Sequence, residues 1–323
     1  MSILPIFIPH AGCPHQCVFC NQKAISGQRT AAVEGAKAQI AAWLPRLRAG
    51  VQHEAAFYGG SFTGLDFALQ EELLALTDDL LARGVIGSVR LSTRPDYIND
   101  AALELLKKHE VTLVELGVQS LDDAVLAAAE RGHTAAQAAS AVRLLQKYGF
   151  KTGVQLMVGL PGQDFASVQA TAKLAAALAP DIARIYPLLV IKDTPLARSY
   201  AGGSFTPLTL EEAVEQAAYV YKTLTAAGVR VIRVGLQPDG ELCAPGNILA
   251  GPFHPSMGEL VQSRLLRQRL TPVLDAQYAA GQRQLILLCR RREESKLRGL
   301  QSCNIKYWQA RYPDAQLAVI KED

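Results

Sequence analysis

The chain has 323 residues, 49% hydrophobic and 20% charged, with a formal net charge of only +3, which suits one barrel-sized domain with an appendage. Its apolar stretches break off well short of the ~20 residues a membrane span needs, and its start lacks the basic-then-apolar pattern of an export signal. Six cysteines are too few for a dense disulfide framework, so a soluble cytoplasmic protein is expected.

Along the first three quarters, short apolar runs alternate with helical patterns, as a parallel sheet covered by crossover helices requires. Strands are predicted at residues 4–8, 55–58, 89–92, 113–118, 153–158, 182–189 and 229–234. Helices rich in Ala and Leu are predicted at 68–81, 100–107, 135–148, 165–178 and 210–227. In such folds the loops after the strands' carboxyl ends collect the functional residues.

The loop after the first strand holds Cys13, Cys17 and Cys20 in the run Gly12-Cys13-Pro14-His15-Gln16-Cys17-Val18-Phe19-Cys20-Asn21. Spacings of four and three residues let one tight loop present three thiolates to one metal centre. Three thiolates on a four-iron cluster leave one iron without a protein ligand, where a substrate can bind. A structural zinc would need a fourth ligand, and no Cys or His pair follows Cys20 at short range. Three clustered structural thiols are the other alternative, against which stand the turn formers Pro14 and Asn21.

Each later strand end carries its own signal. Gly59 and Gly60, in Phe57-Tyr58-Gly59-Gly60-Ser61-Phe62-Thr63-Gly64, allow either a close backbone approach to a ligand or a plain turn. In Leu91-Ser92-Thr93-Arg94-Pro95-Asp96, Arg94 and Asp96 form either a structural ion pair or a ligand contact. Gln119 ends Glu115-Leu116-Gly117-Val118-Gln119-Ser120, and Arg131 follows in Glu130-Arg131-Gly132-His133-Thr134. A guanidinium fork suits a carboxylate; the alternatives are an Arg131 that holds a helix end and a Gln119 that satisfies buried backbone. The fifth strand leads through Gln155 into Gly159-Leu160-Pro161-Gly162.

Cys-x3-Cys-x2-Cys with an aromatic, Phe19, before the last cysteine resembles the signature of radical S-adenosylmethionine (SAM) enzymes. The resemblance implies that Cys13, Cys17 and Cys20 hold a 4Fe-4S cluster. Its open iron would chelate the amino and carboxylate groups of SAM, and one electron would split the sulfonium to give a 5′-deoxyadenosyl radical that abstracts hydrogen. It further implies that Gly59, Gly60 and Ser61 lie at the methionyl amine, that Gln119 contacts the ribose and that Arg131 pairs with the SAM carboxylate. Gln155 stands where some relatives carry an acidic ribose ligand, and Gly159, Leu160 and Gly162 would line the adenine. The motif order is most similar to the radical SAM domain of the Elongator catalytic subunit, over about residues 3 to 310. Ser92 departs from it, standing where a glutamate is common. Relatives that modify transfer RNA carry a basic segment ahead of the cluster and an acetyltransferase domain after the barrel; with twelve residues before Cys13 and an end at Asp323, acetyl-CoA chemistry is not expected here. A flavodoxin or ferredoxin would deliver the electron. The expected fold is thus an α/β partial (β/α) TIM-like radical SAM barrel, residues 1–236, with a small carboxyl-terminal α/β extension, residues 237–323, after the turn-rich run 236–240.

That extension is basic: residues 264–311 hold eleven Lys and Arg against three Asp and Glu, whereas the rest of the chain is net acidic. Arg290-Arg291-Arg292, Lys296 and Arg298, with Tyr307 and Trp308, suggest RNA backbone and stacking contacts; the alternatives are a solvated basic face or pairing with the acidic barrel surface. His254 sits between Pro252 and Pro255 before a helix predicted at 259–269, for which Ser256 or Gly258 is the candidate cap. His254 and Glu259 serve either a substrate or local hydrogen bonding. Cys243, Cys289 and Cys303 read as ordinary buried thiols. The functional expectation is a radical SAM enzyme, acting on transfer RNA or other RNA. A small-molecule substrate, or a non-catalytic iron–sulfur electron-transfer protein, is the alternative.

Overall fold

The computed structural model describes residues 2–8, 13, 17–21, 29–48, 50–236 and 242–322. The chain runs β1 (Ser2–Phe7), α1 (Arg29–Trp43), β2 (His53–Tyr58), α2 (Phe67–Ala82), β3 (Ser88–Thr93), α3 (Asp100–Lys108), β4 (Val111–Gln119), α4 (Asp123–Ala128), α5 (Ala135–Lys147), β5 (Lys151–Val158) and α6 (Phe165–Ala177). It continues β6 (Ile182–Pro187), β7 (Val190–Ile191), α7 (Pro195–Ala201), α8 (Leu210–Ala226), β8 (Arg230–Val234), β9 (Ile248–Ala250), α9 (Met257–Ala279), β10 (Gln284–Arg290), α10 (Glu294–Arg298), α11 (Cys303–Arg311) and β11 (Gln316–Glu322). Seven parallel strands form one curled sheet in the order β1-β2-β3-β4-β5-β6-β8, the half-barrel the β/α repetition predicts.

Alternation along the strands divides the sheet into two unlike faces. Leu4, Ile6, Phe57, Leu91, Leu116 and Ile185 point to the helices and join Leu73, Leu103, Val142 and Val168 in one dry core. Each such buried leucine contributes about 1.5–3 kcal/mol. The opposite face carries Glu54, Arg90, Ser92, Glu115, Gln155 and Arg184. The register sets Ser92 beside Glu115 and Gln155 beside Arg184. Polar side chains fill the concave side of the barrel.

Local chemistry fixes the helix starts. The side chains of Asp66, Asn99 and Asp164 accept from the third residue on, while Thr134/Gln137 and Thr209/Glu212 form reciprocal capping boxes.

Several expectations need correction. The strand predicted at 182–189 stops at Pro187, which has no N–H to extend the ladder, and the chain turns into β7, paired antiparallel with β9. The helix predicted at 259–269 starts at Met257 and runs to Ala279 through Pro272; packing at both ends outweighs the proline, since Met257 and Val261 lie in the barrel core and Leu274 in a second core. That second core gathers Leu285, Leu287, Leu297, Trp308 and Tyr312 beneath the parallel pair β10 and β11. Cys289 is buried there, but Cys243 and Cys303 are exposed, contrary to expectation. In the turn-rich run at 236–240, residues 237–240 lie outside the described residues.

Candidate cluster and cofactor site

The cysteine loop sits at the carboxyl edge of the sheet, between α4 and α7. Val18 N–H donates to the Ala129 carbonyl (3.2 Å), Leu196 N–H donates to the Val18 carbonyl (2.8 Å), and Cys20 N–H closes a turn onto the Cys17 carbonyl (3.0 Å). Val18 and Phe19 pack against the buried cluster of Val125, Ala129, Leu160 and Leu196. Phe19 therefore anchors the loop as a hydrophobic residue. Gly12 and residues 14–16 lie outside the described residues.

Cys17 is buried, and two guanidiniums point at its sulfur: Arg131 Nη1 at 3.4 Å and Arg94 Nη1 at 3.9 Å. Both arginines are held from behind. Arg131 Nη2 donates to the Gly117 carbonyl at 2.7 Å, and Arg94 Nη2 donates to the Arg131 carbonyl at 2.6 Å and to Asp96 at 2.9 Å. Arg94 is thus the ion-pair partner of Asp96, one of the two readings its sequence left open, and also a donor to Cys17. Arg131 Nε has no acceptor among the described residues. Burial, then the neighbouring Cys17 and Cys13, push the Cys20 thiol up to about 11, with Arg131 acting in the opposite sense. Among the described residues no three His, Cys, Asp or Glu side chains converge at single-ion distance. His133, also buried, is pushed down to about 4 by burial and then by Arg131 and Arg94.

Glycine is required where the backbone comes closest. Gly59 has φ +109°, and a Cβ there would lie 2.5 Å from the Ile8 carbonyl oxygen. Gly59→Ala is expected to cost about 2 kcal/mol, read as a lower urea midpoint, whereas Gly35→Ala, in open space within α1, is expected to gain about 0.5–1 kcal/mol. Gly117 makes room for two polar side chains: a Cβ would meet Arg131 Nη2 and Gln119 Nε2, each at 2.8 Å. Gln119 is itself buried with φ +66°.

Other predicted site residues have their own local contacts. The Ser61 hydroxyl lies 2.9 Å from Thr93 Oγ1 and accepts from Arg94 N–H at 3.2 Å, which ties the end of β2 to that of β3. The close neighbour at Gly159 is the Leu208 side chain. Leu160 is buried beside Phe19, and its N–H donates to Gln163 Oε1 at 3.1 Å. Gln155 is half-buried on the polar face. His254 is a local hydrogen-bonder: its Nδ1 accepts from Ser256 N–H at 3.1 Å, and Ser256, at the start of α9, makes no side-chain cap.

Two features escaped the sequence reading. Glu115, 1% exposed, bonds Arg184 Nε at 2.5 Å and pairs with Arg90 at 3.5 Å, while Arg90 also faces Glu54 at 3.3 Å and donates to the Tyr58 hydroxyl. Alternating Glu and Arg in strands was the available signal. In the extension, Trp308 is fully buried with Nε1 on Thr271 (2.9 Å), so it cannot stack on a base. Arg264 and Arg267 pair with Glu211 of α8, Arg264 also with Glu215, and Arg267 covers the Tyr307 ring. Arg269, Arg290 and Lys306 are exposed and make no ion pair among the described residues.

The tRNA uridine(34) acetyltransferase of Methanocaldococcus infernus is 26% identical over 316 residues, 84% of this chain and 57% of that protein. Human Elongator complex protein 3 is 29% identical over 180 residues, 55% of this chain and 32% of that protein. The chain thus spans well under two thirds of these relatives' length. Among solved structures, the archaeal Methanocaldococcus infernus Elp3 superposes with a TM-score of 0.65 at 24% identity, over 83% of this chain and 63% of that one. Escherichia coli coproporphyrinogen III oxidase (HemN) superposes at 0.52 with 20% identity, over 70% and 52%. No helix among the described residues is long and apolar enough to cross a membrane. Residues 180–267 match the Radical SAM C-terminal domain and residues 7–175 the Radical SAM superfamily, and with more than half its length in that match the chain belongs to this superfamily of enzymes.

Proposed function

We propose that Cys13, Cys17 and Cys20 hold a 4Fe-4S cluster, that the adjoining strand ends bind SAM, and that the enzyme modifies RNA. The convergence of Arg94 and Arg131 on the Cys17 sulfur carries this reading. Fixed donors around a cysteine sulfur suit a cluster ligand, whose electronics such contacts tune. The Nε of Arg131, without an acceptor among the described residues, fits a carboxylate-bearing cofactor beside it. When bound, the cluster supplies the electron that cleaves SAM to the hydrogen-abstracting radical. The chain's own work is to position: Arg131 orients the carboxylate, Gln119 stands at the ribose, and Gly159 to Gly162 shape the wall beside the adenine. Apolar packing around Phe19 and Leu160 keeps water from the loop. A flavodoxin or ferredoxin is the proposed electron donor.

RNA as substrate is supported by the names of the relatives, which act on tRNA uridine(34), and by the exposed cations Arg269, Arg290 and Lys306. The polar concave face of the barrel favours a small metabolite as the second reading. Anaerobic reconstitution with iron and sulfide, followed by SAM and dithionite, is expected to yield 5′-deoxyadenosine, and a mobility shift with bulk tRNA is expected to weaken steeply with salt. Deoxyadenosine without a shift favours the metabolite. A loaded cluster that neither binds nor cleaves SAM identifies an electron carrier. Arg131→Lys is expected to retain its iron but bind SAM at least about tenfold more weakly, since an ammonium cannot reproduce the fork.

A further inference from the structure

The strands' amino ends, opposite the cysteine loop, surround a second cavity of about 690 Å³. Its walls include Arg90, Lys151, Arg184, Arg230 and Arg233, with Glu54. At about 3.3 Å per residue, the length of β5 alone sets Lys151 roughly 20 Å from the cofactor end of the sheet. This is a separate opening of the barrel.

Its charge is unbalanced. Glu54 and Glu115 compensate Arg90 and Arg184 in the buried network. Arg230, Arg233 and Lys151 make no ion pair among the described residues, and the register brings Arg233 beside Arg184. Arg90 is 5% exposed and lines the cavity, with its Nε 3.3 Å from Glu54 Oε2. Like charges gathered around a half-enclosed space repel one another and concentrate the opposite charge within it. Guanidinium forks match phosphate geometry, and the volume lies in the range of small-ligand sites.

We propose that the amino-terminal mouth of the barrel binds a phosphate-bearing small molecule, held by Arg233, Arg230 and Lys151 at the rim and facing Arg184 and Arg90 within. The site is independent of the cluster and of SAM.

Equilibrium dialysis of the full-length protein against radiolabelled inorganic pyrophosphate, at low ionic strength, tests it. Saturable one-to-one binding is expected, weakened at least about tenfold in Arg233→Gln, the loss of one charge-assisted contact. Exposed Lys151→Gln is expected to weaken binding in the same direction and serves if Arg233→Gln fails to fold. Lys173→Gln, exposed on α6, is expected to leave binding unchanged. Absence of saturable binding overturns the proposal. So does affinity that is equal in the wild type and the cavity variants, or that falls instead in Lys173→Gln, because the anion would then sit elsewhere.

Discussion

Cys17→Ala is expected to abolish deoxyadenosine production, to below about a hundredth of wild type, and to leave the reconstituted protein short of iron and sulfide. Cys17 is the buried cysteine of the three, and it alone has two arginines turned toward its sulfur. Alanine removes the ligand and leaves both guanidiniums without the acceptor they face. Two cysteines cannot hold three corners of a four-iron cluster. Cys289→Ala is the matched control: it also deletes a buried thiol, but in the separate core of the extension, and should keep full iron content while costing some stability. Iron and sulfide assays with deoxyadenosine quantification decide the matter, and a Cys17→Ala protein with full iron and wild-type turnover would sink the proposed cluster.

The barrel was legible because its convex side obeys simple rules. Leu4, Phe57, Leu91 and Leu116 alternate along their strands, and the helices between show Ala and Leu at helical spacing. All seven predicted strands belong to the sheet, with ends displaced by a residue or two. The helix α1 was not predicted, since its alanines and polar residues give no strong stripe. The cysteine loop and the glycine pair stood out because spacing and paired glycines are local signals. Trp308 was misread because a tryptophan beside basic residues looks alike whether it faces solvent or a core formed by Leu274 and Leu285, far off in sequence. The same limit hid the partnership of Arg94 with Cys17, which joins residues 77 positions apart.

The polar lumen shows most clearly what periodicity leaves out, and Glu115→Ala is the variant that exposes it. Glu115 is held between Arg184 and Arg90, both nearly enclosed, with Tyr58 stacked against the two guanidiniums. Removing the shared carboxylate leaves two close cations with only Glu54 to face one of them. Deleting one partner of a buried ion pair costs about 3–5 kcal/mol, because the remaining charge stays desolvated. A comparable deletion at the surface, Glu294→Ala, breaks pairs to Arg298 and Lys321 that water already screens, and is expected to cost less than about 1 kcal/mol. Urea unfolding of the two variants should therefore show a large fall in midpoint for Glu115→Ala and almost none for Glu294→Ala. Equal midpoints would mean that the lumen is wet enough to screen its charges, and Arg184 and Arg90 would then attract an anion far less strongly. A large fall would establish that the barrel invests stability in a charged interior, an arrangement that core packing alone has no reason to select.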